Sequence, residues 1–88
     1  MARAIVIHVY GDVQGVGFRA RIRHIANAFN LNGYVKNMPD GSVEIYVEGD
    51  EQSIEAFTET VKNLREYEIW EVKTEETVPK GYLSLIHI

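Results

Sequence analysis

The chain has 88 residues, with no cysteine, two prolines and one tryptophan. Without cysteine it cannot form a disulfide framework or offer thiolate ligands to a metal. It has no apolar run long enough to cross a bilayer as a helix, and its first residues lack the apolar centre of a secretory signal. These absences predict a cytoplasmic protein with no membrane partner and no thiolate-bound metal.

Positive charge is also scarce. Nine Lys and Arg residues face 13 Asp and Glu residues, which gives a formal net charge of −4. Because nucleic-acid binding rests on neutralising phosphates, this balance argues against nucleic acid as a partner. A pocket on an acidic protein can still be locally positive, so a small anion remains compatible with the composition. Three arginines stand close together, at Arg19, Arg21 and Arg23.

The spacing of apolar residues predicts one domain over residues 1–88, with the element order β-α-β-β-α-β and a short extra strand. Apolar and polar residues alternate over 5–10 and 43–48, and helical spacing is found over 18–29 and 54–64. Further strands are predicted over residues 34–36, 69–73 and 82–88. Pro39-Asp40-Gly41 is a typical turn and closes a hairpin. This order predicts an α+β fold of the ferredoxin-like, split β-α-β type. Both helices would cover one face of an antiparallel sheet of four to five strands, with the first two strands parallel and the third between them.

The most distinctive segment is Gly11-Asp12-Val13-Gln14-Gly15-Val16-Gly17-Phe18-Arg19. A strand that runs through a glycine-rich turn into a helix aims backbone N–H groups at one point, where the helix dipole favours an anion. Arg19 adds a planar fork of donors that matches phosphate oxygens. The segment therefore predicts a phosphate site, although glycines also favour a plain tight turn between strand and helix.

Two nucleotide-binding interpretations fail on their context. No Gly-Lys-Ser/Thr follows the turn, which excludes a Walker A loop. Residues 15–20 formally match the G-x-G-x-x-A variant of the dinucleotide-binding pattern. The next strand, however, enters a tight hairpin, and 88 residues cannot supply the rest of a doubly wound sheet.

The nine-residue segment is one of three blocks that together resemble the acylphosphatase family. The others are Gly33-Tyr34-Val35-Lys36-Asn37 and Asp40-Gly41-Ser42-Val43-Glu44, and the resemblance covers roughly residues 5–64. It implies the same ferredoxin-like fold and hydrolysis of the carboxyl–phosphate bond of acyl phosphates, without metal or cofactor. It also implies an acyl phosphate as substrate and inorganic phosphate as product, and we expect a monomer.

The resemblance assigns roles to individual residues. The residues that it implies for phosphate binding are Gln14, Gly15, Val16, Gly17, Phe18 and Arg19. Their backbone N–H groups would cradle the phosphate, and the Arg19 side chain would bind it as well. Asn37 would orient the attacking water, and the substrate's own phosphate would help to accept the proton of that water. Arg19 and Asn37 are therefore the candidate catalytic residues.

Two features depart from the family pattern. Ala20 stands where an aromatic residue is common, and residues 63–67 replace a Gly-Pro turn after the second helix. The first change would reshape the rim of the pocket, and the second would alter only the length of a loop. The alternative function is a non-catalytic anion-binding or regulatory module, which Arg19 together with Asn37 disfavours. A larger maturation factor that carries this domain is disfavoured because the chain ends at Ile88 without zinc-binding cysteines.

Overall fold

The computed structural model describes residues 2–84 and contains four strands and two helices in those residues. The elements are β1 (Ala2–Asp12), α1 (Phe18–Ala28), β2 (Asn32–Asn37), β3 (Val43–Asp50), α2 (Glu51–Lys62) and β4 (Glu68–Thr77). The strands form one sheet in the order β2-β3-β1-β4, and every neighbouring pair is antiparallel. The predicted ferredoxin-like α+β fold is therefore confirmed, with β1 and β2 parallel and β3 between them.

The core lies between the sheet and the two helices. Alternate residues of β1 and β3 face the helices because successive side chains of a strand point to opposite faces. Ile7 pairs with Ile45 and Val9 with Val43, and all four are fully buried. The helices contribute Phe18, Ile22, Ile25, Ala26, Ile54, Phe57 and Val61. Full burial of each large apolar side chain stabilises the fold by about 1.5–3 kcal/mol.

β1 and β4 are both longer than the strands predicted from the sequence. β1 and β4 pair from Ala4 with Thr77 to Asp12 with Glu68, with a bulge between Tyr10 and Gly11. Most of the added residues of β4 are exposed and polar, so backbone pairing rather than burial holds them in the strand. β1 pairs with β3 only as far as Val9 with Val43, so its last residues are bound to β4 alone.

The predicted last strand over residues 82–88 is wrong where it can be compared, because residues 82–84 are not in a strand. Residues 85–88 lie outside the described part of the chain. The reason lies in the segment before them, which crosses the face of the sheet opposite the helices. The backbone N–H groups of Lys80, Gly81 and Tyr82 donate to the Glu48 carboxylate at 2.8, 3.1 and 2.9 Å. These donors therefore bind a side chain instead of a neighbouring strand.

Candidate active site

The glycine-rich segment forms the connection from β1 to α1. Gly15 and Gly17 have φ of 74° and 80°, in the left-handed region that side chains rarely adopt. A Cβ added at either position would meet nothing within 4 Å. Glycine is therefore required there by the backbone conformation and not by a shortage of space.

The N-terminus of α1 is left open towards this loop. Gly17 is the N-cap, no side chain caps the helix, and its first turn holds no acidic residue. The Arg21 N–H donates to the Gly17 carbonyl at 3.1 Å, so the N–H groups of the preceding residues have no acceptor within the helix. In α2, by contrast, the Asp50 side chain accepts from the Ser53 N–H at 3.1 Å. The positive end of the α1 dipole thus faces the loop with neither a capping side chain nor an acidic residue in the first turn.

A cavity of about 200 Å³ lies at this junction and is lined by Val13, Gly15, Gly17, Phe18, Arg19 and Ala20. Arg19 is half-buried at its edge, and Ala20 is exposed. The Phe18 side chain is 1% exposed and belongs to the core, so only its main chain can serve an anion. Val16 is 46% exposed and does not line the cavity. The predicted loop residues therefore differ in what they can contribute.

The Gln14 side chain turns away from the cavity and binds the turn between β2 and β3. Its Nε2 atom lies 2.8 Å from the Met38 carbonyl oxygen and 2.9 Å from that of Ser42. Because both partners are acceptors only, the amide nitrogen must face them, with each of its N–H groups used once. The sequence placed Gln14 in the phosphate loop, and the structure gives its side chain a second partner, the turn that follows Asn37.

Asn37 is the last residue of β2. It pairs with Val43, which is buried under the helices, so Asn37 lies at the edge of the same face of the sheet. Its side chain is exposed and does not line the loop cavity. The structure thus gathers Gly15, Gly17 and Arg19 around one cavity and connects Asn37 to it through the contact between Gln14 and Met38.

Sequence reasoning missed the contribution of residues 63–67. The Tyr67 hydroxyl lies 3.5 Å from the Gly17 carbonyl oxygen, and its ring packs edge-on against Phe18 with centroids 5.1 Å apart. Glu66 forms an ion pair with Arg21 at 3.1 Å. The segment therefore supports the start of α1, and its departure from the family pattern affects more than loop length. That departure was the one sequence signal that pointed to it.

A polar cluster on the opposite face of the sheet joins its two central strands and β2. Glu44 accepts from the Tyr34 hydroxyl at 2.6 Å and contacts His8 Nε2 at 2.8 Å. Burial raises the pKa of Glu44. The hydrogen bonds from Tyr34 and His8 and the charge of Lys36 lower the pKa by more than burial raises it, so the net pKa lies below its usual value. The cluster keeps Glu44 ionised and links β2, the strand that carries Asn37, to β3 and β1.

Among residues 2–84, no group of three or more His, Asp or Glu side chains is arranged to hold a metal ion. Within the same residues, neither helix is long and apolar enough to cross a membrane. A larger open groove of about 600 Å³ lies between α2, β1 and β4, where Arg3 pairs with Glu51 and Glu76. It stands at the opposite end of β1 from the glycine loop.

Comparison with known proteins connects this geometry to a family. The acylphosphatase family profile matches residues 5–84. The acylphosphatases of Thermotoga petrophila and Thermotoga maritima are each 46% identical over 81 residues, which are 91% of this chain and 90% of theirs. The crystal structure of acylphosphatase from Bacillus subtilis superposes with a TM-score of 0.88 at 36% identity, covering 100% of this chain and 99% of that one.

The fold also matches part of a longer protein. Full-length HypF, in its phosphate- and nucleotide-bound form, superposes with a TM-score of 0.91 at 36% identity. The match covers 98% of this chain but 12% of the HypF chain. The same small fold therefore occurs both as most of a short protein and as one part of a long one.

Proposed function

The chain belongs to the acylphosphatase family and hydrolyses acyl phosphates, and from that premise we propose how its residues divide the reaction. The loop from Gln14 to Arg19 binds the substrate phosphate through its backbone N–H groups, and Arg19 binds it through the guanidinium. Asn37 orients the water that attacks. The division assigns charge stabilisation to one segment of the chain and positioning to another.

The observation that carries this proposal is the open N-terminus of α1. It has no capping side chain and no acid in its first turn, and Arg19 lines the cavity beside it. A cation in the first turn opposes the helix dipole, so Arg19 is unfavourable there unless an anion lies between the two. A bound phosphate resolves that conflict and accepts hydrogen bonds from both.

The reaction needs no covalent intermediate with the protein. The water oxygen forms a bond to phosphorus, the bond from phosphorus to the carboxylate oxygen breaks, and the proton of the water passes to the phosphate that is released. Phosphoryl transfer depends mainly on positioning and charge stabilisation. The carboxamide of Asn37 can both donate and accept, so it can hold a water in one orientation.

We propose that no metal or cofactor takes part. The carboxylate is a good leaving group, and Arg19 with the loop N–H groups supplies the positive charge that a metal would otherwise bring to the phosphate. The N–H groups are fixed by the backbone, so they need no reorganisation during the reaction. Turnover is therefore expected to persist when a chelator is present.

The test is hydrolysis of acetyl phosphate or benzoyl phosphate with a chelator present, by the native protein and by Arg19→Lys. Lysine keeps the charge but loses the planar fork, so we expect the rate to fall on the order of 10²–10³-fold. Arg23→Lys is the matched control, because Arg23 is exposed on the same helix and lies outside the cavity lining. It should keep the native rate.

A folded native protein that binds inorganic phosphate but turns over no acyl phosphate would contradict the enzymatic function and favour a non-catalytic anion-binding module. Equal rates for Arg19→Lys and the native protein would contradict the role of Arg19 while leaving the activity in place.

The setting in which the enzyme works stays a prediction from the sequence. We propose that it acts as a monomer in the cytoplasm on a small-molecule acyl phosphate and does not use nucleic acid as a partner. The net charge of −4 supports the last point, because it opposes the phosphate neutralisation that nucleic-acid binding needs.

A further inference from the structure

We infer that Gln14 is a positioning residue that sets the orientation of Asn37 by tying the phosphate loop to the turn between β2 and β3. This inference rests on the proposed function, and it assigns to the Gln14 side chain a task that differs from that of the loop backbone. It concerns how two separate segments of the chain are held in register at the site.

The ladder between β1 and β3 stops where the two halves of the site come together. Its last pair is Val9 with Val43, and beyond it β1 continues along β4 alone. Residues 38–42, which precede β3, therefore have no ladder partner on the side of the glycine loop. The two hydrogen bonds from Gln14 supply a connection at this point, across 24 and 28 residues of sequence.

The carbonyl groups that Gln14 contacts are the two that close the turn. The Met38 carbonyl also accepts from the Gly41 N–H at 3.1 Å, and the Ser42 carbonyl accepts from the Met38 N–H at 2.8 Å. Asp40 adds to this closure, since its Oδ1 atom accepts from the Ser42 N–H at 3.0 Å. Gln14 thus binds a turn that is already closed by its own hydrogen bonds. Because Met38 follows Asn37 directly in the chain, these bonds act on the backbone next to Asn37.

Through the position of Asn37, the contacts of Gln14 affect the reaction rate. An error of about 1 Å in the position of a reacting group can cost on the order of 10²-fold in rate. Asn37 is exposed, and among residues 2–84 no side-chain hydrogen bond of its own fixes it, so its position follows from the backbone of β2 and the turn. Loss of the Gln14 contacts would let that backbone move relative to the loop that holds the phosphate.

The test is a double-mutant cycle with Gln14→Met and Asn37→Ala. Methionine has nearly the shape of glutamine but cannot donate, so it removes both hydrogen bonds with little change in volume. We expect Gln14→Met to lower kcat by on the order of 10-fold or more. The inhibition constant for inorganic phosphate should change little. In the Asn37→Ala background the same substitution should have little further effect, because residues that act through one another are not additive.

Gln14→Glu gives a readout that a purely structural role would not move. An ionised carboxylate would face two carbonyl oxygens and repel them, whereas the protonated acid can donate one hydrogen bond. The ratio of its kcat to that of the native enzyme should therefore rise as the pH falls towards the carboxyl pKa of about 4.3. Asp40, the titratable group within the turn, is present in both proteins, so its own titration cancels in the ratio. The ratio for Gln14→Met should stay flat.

The results distinguish the role of Gln14 from the hydrolytic function on which it depends. Native turnover with additive effects of Gln14→Met and Asn37→Ala would overturn the inference alone. So would a lower melting temperature with unchanged kcat, or a large rise in the phosphate inhibition constant, which would place Gln14 with the loop. A native protein without turnover would refute the proposed function and the inference with it.

Discussion

Gly17 determines at the scale of one residue how the chain enters α1. With φ of 80° it lies in the left-handed region, and a Cβ there would have open space around it. A residue other than glycine would pay roughly 1–2 kcal/mol for that conformation. The backbone conformation of the loop at the start of α1 therefore depends on the absence of one carbon atom.

We predict that Gly17→Ala weakens inhibition by inorganic phosphate and lowers acyl phosphate turnover, because the strained alanine relaxes the loop. Gly81→Ala is the matched control, since Gly81 has the same φ of 80° and equally open surroundings on the other face of the sheet. Thermal melting should show both variants destabilised to a similar degree, with activity lost in Gly17→Ala only. Equal activity in the two would mean that the loop conformation is not what binds phosphate.

Among the elements of the fold, the segment of residues 78–84 is held by Glu48 against the face of the sheet opposite the helices. Glu48 is 7% exposed and accepts from the Tyr46 hydroxyl at 2.5 Å as well as from three backbone N–H groups. Burial raises the pKa of Glu48, but these hydrogen bonds outweigh it, so the net pKa is lowered. Burial and the neighbouring Glu48 in turn raise the pKa of Tyr46 to about 12.

We predict that Glu48→Gln lowers the stability at neutral pH by about 2 kcal/mol, the scale of hydrogen bonds to a charged group. In a domain of this size that corresponds to a melting temperature lower by roughly 10 °C. Because the folded pKa of Glu48 lies below its unfolded value, its contribution is present above about pH 4.5 and is lost as the pH falls through the folded pKa.

The melting temperatures of native protein and Glu48→Gln should therefore converge in acid. Glu59→Gln, on the exposed face of α2, is the control and should follow the native curve. A difference between native protein and Glu48→Gln that stays constant from pH 7 to pH 3 would show that the charge of Glu48 does not hold the segment.

The elements themselves could largely be predicted from the sequence, and the exception shows why. Period-two and helical spacing located both helices and all four strands, because burial on one face determines those patterns. Residues 82–84 lack that determinant. Their path depends on a carboxylate from β3, some 34 residues earlier in the chain, that accepts the Tyr82 N–H. A contact of that kind leaves no periodic trace in the sequence.

The candidate site of the whole molecule draws on three segments that are far apart in the chain. Residues 14–19 and Asn37 stand out in the sequence because each lies in a motif of the family, and their roles stay predictions. Tyr67 could not be predicted, because it comes close to Gly17 only when α2 has folded over the sheet. The bonds from Gln14 to the turn could not either, because glutamine in a loop carries no signal of its partner.

The net charge of the whole molecule differs in sign from the charge next to the glycine loop. The molecule carries a net charge of −4, yet the cavity beside the glycine loop is lined by Arg19 and lies at the positive end of α1. The acids that lie closest in sequence to Asn37 are Asp40 and Glu44. Hydrogen bonds from Ser42 lower the pKa of Asp40, and those from Tyr34 and His8 lower the pKa of Glu44. Oδ1 of Asp40 accepts from the Ser42 N–H and Oε2 of Glu44 from the Tyr34 hydroxyl.

In the proposed mechanism, phosphate binding and water positioning belong to different segments of the chain. Measuring kcat together with the inhibition constant for inorganic phosphate, in Asn37→Ala and in Arg19→Lys, tests this division. We expect Asn37→Ala to lower kcat on the order of 10²–10³-fold and to leave phosphate inhibition essentially unchanged, whereas Arg19→Lys should lower kcat and weaken phosphate inhibition. Loss of phosphate inhibition in Asn37→Ala, or a native kcat in that variant, would contradict the division.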